Sequence, residues 1–218
     1  MSEIITTYKP EKLDVALPME RDEYYRWQIE LSEKGEKPSL AAGIICILIF
    51  EENGEIFIQK RSDRKGHNSG LLDKTIGGHI TFGDTVDYTV MVETVQELKV
   101  PSITLRSDED FQKTYNLLAG YLDTVAIVKH IDTQPFEFKR KIKGKDVPIL
   151  NKVHLYFGIY NGAVKTVDRE AKGVLLYSLE DLEREMKEFP MIFTDDIKTL
   201  VKRYRPEIRQ FTKTIKKK

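Results

Sequence analysis

The sequence predicts an α/β domain in which helices and β-hairpins are mixed, as in α+β proteins, and three observations predict it. An apolar run, Ala41–Phe50, is followed by a turn and by the alternating segment Ile56–Arg61, a pattern typical of a β-hairpin. A glycine-rich turn then enters a helical pattern within residues 77–100. Further helical patterns open at Ser178 and Thr194, so helices are expected to cover a sheet.

The N-terminal region, residues 1–39, is predicted to be an arm and a helix packed on the main domain. Residues 1–18 contain two prolines and little periodicity, which is typical of an arm. Residues 19–34 are rich in helix formers and end before Gly35 and Pro38. The face expected to pack on the domain carries residues spaced three and four apart: Tyr24, Trp27 and Leu31.

The first hairpin is expected to lie at the centre of the domain. The β-branched run Ala41–Phe50 has no polar alternation, which predicts a strand covered on both faces. Cys46 lies within this run and is the only cysteine, so an internal disulfide and a cysteine-based metal cluster are excluded. We expect Cys46 to be a buried packing residue.

The helix within residues 77–100 is expected to have a polar sector and an apolar sector. At about 100° per residue, Glu93, Gln96 and Glu97 fall within one narrow sector of its surface. An adjacent arc is expected to be buried against the sheet and consists of Val90, Met91, Thr94, Val95 and Leu98. The alternative is that the two glutamates are ordinary solvated carboxylates.

Residues 102–150 are predicted to form an insertion made of an extra helix and a hairpin. Ser107 with Asp110 resembles a capping box, which predicts a helix start. A strand is expected over residues 124–131, and two more are expected to flank a turn at residues 143–146. The main domain is predicted to span residues 40–205.

Charge and hydropathy argue against several classes of partner. Lysine and arginine together number 35, as do aspartate and glutamate, so net charge gives no general attraction to nucleic acid or membranes. The longest apolar run is about half of what spans a bilayer. A secretory signal pattern is missing from the N-terminal residues. We expect a cytoplasmic protein without a membrane or nucleic-acid partner.

Residues 206–218 are predicted to be a basic, frayed tail, with contact to RNA phosphates as the alternative.

The stretch 77–100 resembles the signature of the Nudix hydrolases. That signature reads Gly, five residues, Glu, seven residues, then Arg-Glu-hydrophobic-x-Glu-Glu-x-Gly-hydrophobic. The residues that match it are Gly78, Glu93, Glu97 and Val100. Asp84 and Thr94 are conservative substitutions, and the positions that depart from the pattern are Val92, Gln96 and Lys99.

The resemblance implies a Nudix-type α/β/α sandwich with a mixed sheet. It implies a hydrolase that cleaves a diphosphate bond in a nucleoside diphosphate linked to another moiety, using Mg²⁺ or Mn²⁺. Glu97 would be the principal metal ligand, Glu93 a second ligand or the general base, and the Gly78 carbonyl a further ligand. Gln96 would offer an amide oxygen in place of a carboxylate. Arg61 would lie near the substrate phosphates, or else be a salt-bridged arginine.

His79 has two interpretations. Residues 74–79 are similar to the isopentenyl diphosphate isomerase branch of the family, in which the equivalent histidine binds metal. That branch needs a catalytic cysteine where this chain has Gly77, so isomerase activity is disfavoured. His79 is then a substrate-binding residue or a hydrogen-bonded turn histidine.

Three questions stay open at the level of sequence. The degenerate signature also suits a Nudix-fold module that binds a nucleotide or a protein without catalysis. A second general base could come from the insertion, residues 102–150, or be Asp168 or Glu170, and the spacing selects none of these. The expected partner is a small-molecule diphosphate, and the predicted hairpin of the insertion is a candidate contact for a homodimer.

Overall fold

The computed structural model describes residues 3–142, 144–164 and 171–216, and these form ten strands and six α-helices. The strands are β1 (Ile4–Lys9), β2 (Lys12–Glu20), β3 (Ala41–Phe50), β4 (Ile56–Arg61), β5 (Leu72–Asp73), β6 (Ile76–His79), β7 (Ser102–Leu105), β8 (Ala126–Ile142), β9 (Lys145–Ile159) and β10 (Ala171–Tyr177). The helices are α1 (Arg21–Glu33), α2 (Val86–Leu98), α3 (Asp108–Leu118), α4 (Leu179–Glu188), α5 (Asp195–Arg203) and α6 (Arg205–Ile215).

The sheet is mixed and β3 lies at its centre. The main strand order is β10-β4-β3-β9-β8-β7. β3 pairs in parallel with β9, and β9 pairs antiparallel with β8. β1 and β6 also pair with β3, so the N-terminal strands and the glycine turn both lie against the central strand.

Helices cover both faces of the sheet, which confirms the predicted α/β/α arrangement. Every residue of β3 is buried, as the continuous apolar run predicts. The side chains of β3 alternate between two apolar clusters, one on each face of the sheet, because successive residues of a strand point to opposite faces. Cys46, Leu48 and Phe50 pack with residues of α3, α4, α5 and α6, whereas Ile45 and Ile47 pack with residues of α2. Cys46 is fully buried, as expected.

The N-terminal arm is a β-hairpin and has more strand structure than its sequence indicates. β1 pairs with β2 from Ile4 opposite Glu20 to Lys9 opposite Lys12, and β1 also pairs with β3. Pro18 is tolerated because β2 pairs on one side alone, with β1. In α1, Trp27 is 43% exposed and Gln28 takes a buried position, so Trp27 is not on the packing face as predicted.

Residues 205–215 form a packed helix, so the prediction of a frayed basic tail is wrong for this segment. The apolar face of α6 consists of Ile208, Phe211 and Ile215, all buried. Phe211 lies against Phe50 of β3 at a ring-centroid distance of 5.1 Å. These residues are spaced three and four apart, and the basic residues between them occupy the outer face.

The strands of the insertion are longer and more regular than predicted. Ser107 caps α3, because its Oγ accepts a hydrogen bond from the Asp110 backbone N–H at 3.0 Å, as the sequence predicts. The two strands expected over residues 124–142 are one strand, β8, with a bulge between His130 and Asp132. The bulge absorbs the break in periodicity that suggested two elements. In the part of the chain that is described, no helix is long and apolar enough to cross a membrane.

Candidate functional site

Helix α2 presents the predicted acidic residues beside the glycine turn. Thr85 caps the helix by accepting a hydrogen bond from the Tyr88 backbone N–H at 3.2 Å. Lys99 ends the helix in the left-handed conformation, with φ 63°. β6 pairs antiparallel with β3, with Gly78 opposite Ile45, which fixes the glycine turn against the sheet.

Gly78 lies directly beneath the side chain of Glu93. A Cβ atom at position 78 would lie 2.0 Å from Glu93 Oε1 and 2.4 Å from its Cδ. Only a residue without a side chain permits this approach. The first glycine of the signature and its first helical glutamate are therefore in contact.

Glu97 and Glu93 are carboxylates in a low-dielectric environment. Glu97 Oε2 accepts a hydrogen bond from Gln59 Nε2 at 2.9 Å. Among residues 3–142, 144–164 and 171–216, no basic side chain forms an ion pair with either carboxylate. Burial, reinforced by Glu93, raises the pKa of Glu97 to about 8. Burial, with a contribution from Glu3, raises the pKa of Glu93 to about 7.

A cavity of about 300 Å³ opens beside Glu97. Its wall includes the glycine turn, through Gly77, Gly78 and His79, and side chains from β4, α1, β8 and α5. Several side chains of the cavity wall are basic or imidazole groups, among them Arg61, His67, Lys74 and Arg140. Carboxylates and cations thus meet at one concave surface, which is typical of a ligand site.

Arg61 lines this cavity and is also salt-bridged. Its Nη1 donates to Asp73 Oδ2 at 3.1 Å, and its Nη2 donates to the His67 carbonyl at 3.3 Å. The alternative of a salt-bridged arginine is thus observed. Binding of substrate by Arg61 stays a prediction.

His79 is hydrogen-bonded and lines the same cavity. Its Nε2 lies 3.1 Å from the Tyr25 hydroxyl, and the two rings meet edge to face. Burial, with the nearby Arg140 cation, lowers the pKa of His79 well below its usual value, so the ring is neutral at pH 7. The geometry is that of a hydrogen-bonded turn histidine, and a role in substrate binding stays a prediction.

The structure does not place Gln96 in the cavity wall. Gln96 is exposed on α2, although it precedes Glu97 in the predicted polar sector. The predicted apolar arc is also narrower than expected, because Met91 and Val95 are 42% and 46% exposed. Val90, Thr94 and Leu98 are buried as predicted. The helix contacts the sheet along this single line of residues, so the neighbouring positions stay in solvent.

Sequence reasoning missed Gln59 and a buried charge network. Gln59 is a buried polar residue that follows three apolar residues in β4 and reaches Glu97 of α2, and a polar residue at this place in the strand is a signal that could have found it. Lys74 Nζ donates to Asp73 Oδ1 at 3.3 Å and to Asp196 Oδ2 at 3.1 Å. Thr194 Oγ1 donates to Asp73 Oδ1 at 2.7 Å, so the start of α5 is tied to the cavity wall. Asp168 and Glu170, named as alternatives for a second base, lie outside the described residues.

The donor set suits a hard divalent cation. Burial is the main reason why the pKa values of both half-buried carboxylates are raised, so a bound cation that offsets their negative charge would favour the ionised forms. Mg²⁺ and Mn²⁺ prefer oxygen ligands, and Mg²⁺ keeps several waters. Within the described ranges, no three or more His, Cys, Asp or Glu side chains form a complete metal cluster. The residues therefore fit an ion that binds through few protein ligands.

Several solved structures resemble this chain. The crystal structure of DR0079 from Deinococcus radiodurans matches with a TM-score of 0.61 and 14% sequence identity, over 92% of this chain and 98% of that one. The MutT protein from Methanosarcina mazei Go1 matches with a TM-score of 0.51 and 16% identity, over 77% of this chain and 94% of that one. A NUDIX-family hydrolase from Clostridium perfringens has a TM-score of 0.45.

No protein-family model and no curated protein sequence matches the chain. At 14% and 16% identity, the first two structures share a fold with this chain. Together with the signature within residues 77–100, they confirm the predicted Nudix-type fold.

Proposed function

We propose that this protein is a divalent-cation-dependent hydrolase that cleaves a diphosphate bond in a nucleoside diphosphate linked to another moiety. The observation that carries the proposal is the contact of Glu93 with Gly78, one helical turn from the half-buried carboxylate of Glu97. Two glutamates in a charged helix are common. A glutamate in contact with a glycine turn, followed one helical turn later by a glutamate that lines a cavity, is less common, and both occupy positions of the Nudix signature.

Glu97 and Glu93 would hold Mg²⁺ or Mn²⁺. When bound, the cation supplies charge neutralisation at the phosphate oxygens and orients the diphosphate. Gln59 fixes the orientation of Glu97 through its hydrogen bond to Oε2, which leaves the other carboxylate oxygen available. Gln96 is exposed and would contribute less than the signature position does in other Nudix proteins.

Glu93 is also suited to accept a proton from the attacking water. Burial raises the pKa of its carboxylate to about 7, and a general base works best when its pKa lies near the working pH. A positioned base contributes a factor of about 10² to 10⁴ in rate. Arg61 and His79 line the cavity where the phosphates would lie, and we assign both to substrate binding.

A substrate panel tests the proposal. Dinucleotides and nucleotide sugars are incubated with the protein and Mg²⁺ or Mn²⁺, and phosphate-containing products are measured. We expect turnover of at least one compound in the panel, reduced at least about 10³-fold in Glu97→Gln. Glu36→Gln, at an exposed position outside the cavity, is the matched control and should keep full activity.

The alternative outcome is a binding module. If no compound is turned over and a nucleotide nevertheless binds tightly, the hydrolase proposal fails, and the fold would serve recognition. Dimerisation through the hairpin of the insertion, formed by β8 and β9, stays a prediction that a measurement of solution mass tests.

A further inference from the structure

Arg140 is a buried arginine in the wall of the cavity beside Glu97. It belongs to β8, in the insertion, and is 5% exposed. Among the described residues, no carboxylate lies within ion-pair distance of its guanidinium, and its Nε is buried without a hydrogen-bond partner. Its polar contacts are to Tyr25 and His67, and neither of these is a carboxylate.

Two other cations of the cavity wall, Arg61 and Lys74, already have anionic partners. Arg61 is paired with Asp73, and Lys74 is paired with both Asp73 and Asp196. Arg61 and Lys74 therefore share these two carboxylates, and Arg140 is a third cation in the same wall. Because Asp73 and Asp196 are engaged by Arg61 and Lys74, the positive charge left without an ion pair is that of Arg140.

Neutral groups hold the guanidinium in place. His67 Nε2 lies 3.4 Å from Arg61 Nη2 and 3.4 Å from Arg140 Nη1, so it accepts from the arginines. Burial, with the two arginines, lowers the pKa of His67 to about 2, which keeps the ring neutral. The Tyr25 hydroxyl accepts from Arg140 Nη1 and also contacts His79 Nε2 at 3.1 Å. Two hydrogen bonds thus connect Arg140 to His79 through the Tyr25 hydroxyl.

A buried charge without a counter-ion is unfavourable by several kcal/mol unless an anion binds to it. A guanidinium presents parallel N–H donors that match the oxygens of a phosphate. A cavity of about 300 Å³ admits a group of diphosphate size. We propose that Arg140 binds a phosphate group of the substrate in this cavity. The identification of the anion as phosphate rests on the proposed function.

Anion binding is tested without a divalent cation, by the thermal unfolding midpoint in EDTA with increasing inorganic phosphate or pyrophosphate. Ligands that bind the folded state raise this midpoint. We expect both anions to raise it in the wild-type protein. In Arg140→Gln their apparent affinity should fall about 10- to 100-fold, as expected for loss of a charge-assisted hydrogen-bonded contact. Lys141→Gln removes the same charge from the exposed side of β8 and should leave the affinity unchanged.

Arg140→Lys serves if the glutamine variant is not folded. It keeps the charge but loses the planar fork, so we expect an affinity between those of the wild type and Arg140→Gln. Equal phosphate binding in the wild type and a folded Arg140 variant would overturn the proposal. So would acetate raising the midpoint as strongly as phosphate, since the ligand would then be a carboxylate. Loss of hydrolysis in Glu97→Gln with retained phosphate binding separates this proposal from the hydrolase proposal.

Discussion

At the scale of the residue, Gly78 shows how a motif position acquires a physical reason. The signature identifies the glycine by its place in a pattern, and the structure gives the reason, which is contact with the Glu93 carboxylate. The match of Gly78, Glu93 and Glu97 could be predicted because a helix and a tight turn have fixed local geometry. Arg140 could not be predicted, because the wall of a cavity depends on residues far apart in the chain.

Gly78→Ala should displace the Glu93 carboxylate. The added Cβ would lie 2.0 Å from Oε1, so the glutamate must move. We expect turnover to fall at least about 10-fold and Mn²⁺ to bind more weakly, since a small misplacement of a catalytic group is costly. Gly120→Ala is the control, because Gly120 lies outside the cavity wall and a Cβ there would have no neighbour within 4 Å. Unchanged activity in Gly78→Ala would contradict the contact with Glu93.

The raised pKa of Glu97 predicts how stability depends on pH in the metal-free protein. The pKa of Glu97 is 4.5 in the unfolded chain and about 8 in the folded protein. At pH values between these two, Glu97 binds more protons in the folded state than in the unfolded chain. The contribution of Glu97 to the free energy of unfolding is therefore fully present below pH 4.5 and is lost as pH rises through about 8. Buried histidines such as His67 and His154 have lowered pKa values and act in the opposite sense below pH 6.5.

The comparison is therefore made above pH 6.5, by urea unfolding in EDTA. From pH 6.5 to 8, the stability advantage of Glu97→Gln over the wild type should grow by about 1 to 2 kcal/mol. A constant difference between the two proteins over this range would show that Glu97 titrates at its ordinary value.

At the scale of the element, α6 shows where composition misled the prediction. The lysines and arginines of this segment suggested a solvated tail, and the apolar residues between them were too few to stand out. The structure gives their role. Ile208, Phe211 and Ile215 occupy one face, and Phe211 packs against Phe50, Phe111 and Phe157. Periodicity, rather than charge, was the informative signal.

Phe211→Ala should destabilise the protein by about 3 to 5 kcal/mol, the usual effect of removing a buried aromatic ring. Chemical unfolding with urea measures the loss. Gln210→Ala changes an exposed neighbour on the same helix and should be within about 0.5 kcal/mol of the wild type. If the two variants were equally stable, α6 would be frayed, as the sequence first suggested.

At the scale of the whole molecule, the insertion and the C-terminal helices complete the site that the signature begins. The signature supplies Gly78 and Glu97, the insertion supplies Arg140, and α5 supplies Asp196 to the cavity wall. The α/β/α arrangement and most of its elements could be predicted, because each follows from local periodicity and capping. The cavity could not, since it forms where β4, β8, α1 and α5 meet.

The central claim is that Glu93 and Glu97 together hold a divalent cation, and Mn²⁺ binding tests it most directly. Free Mn²⁺ is measured by electron paramagnetic resonance in titrations of the wild type, Glu97→Gln and the exposed control Glu36→Gln. We predict saturable binding in the wild type and in Glu36→Gln, weakened at least about 10-fold in Glu97→Gln. Equal Mn²⁺ affinity in all three proteins would contradict the account.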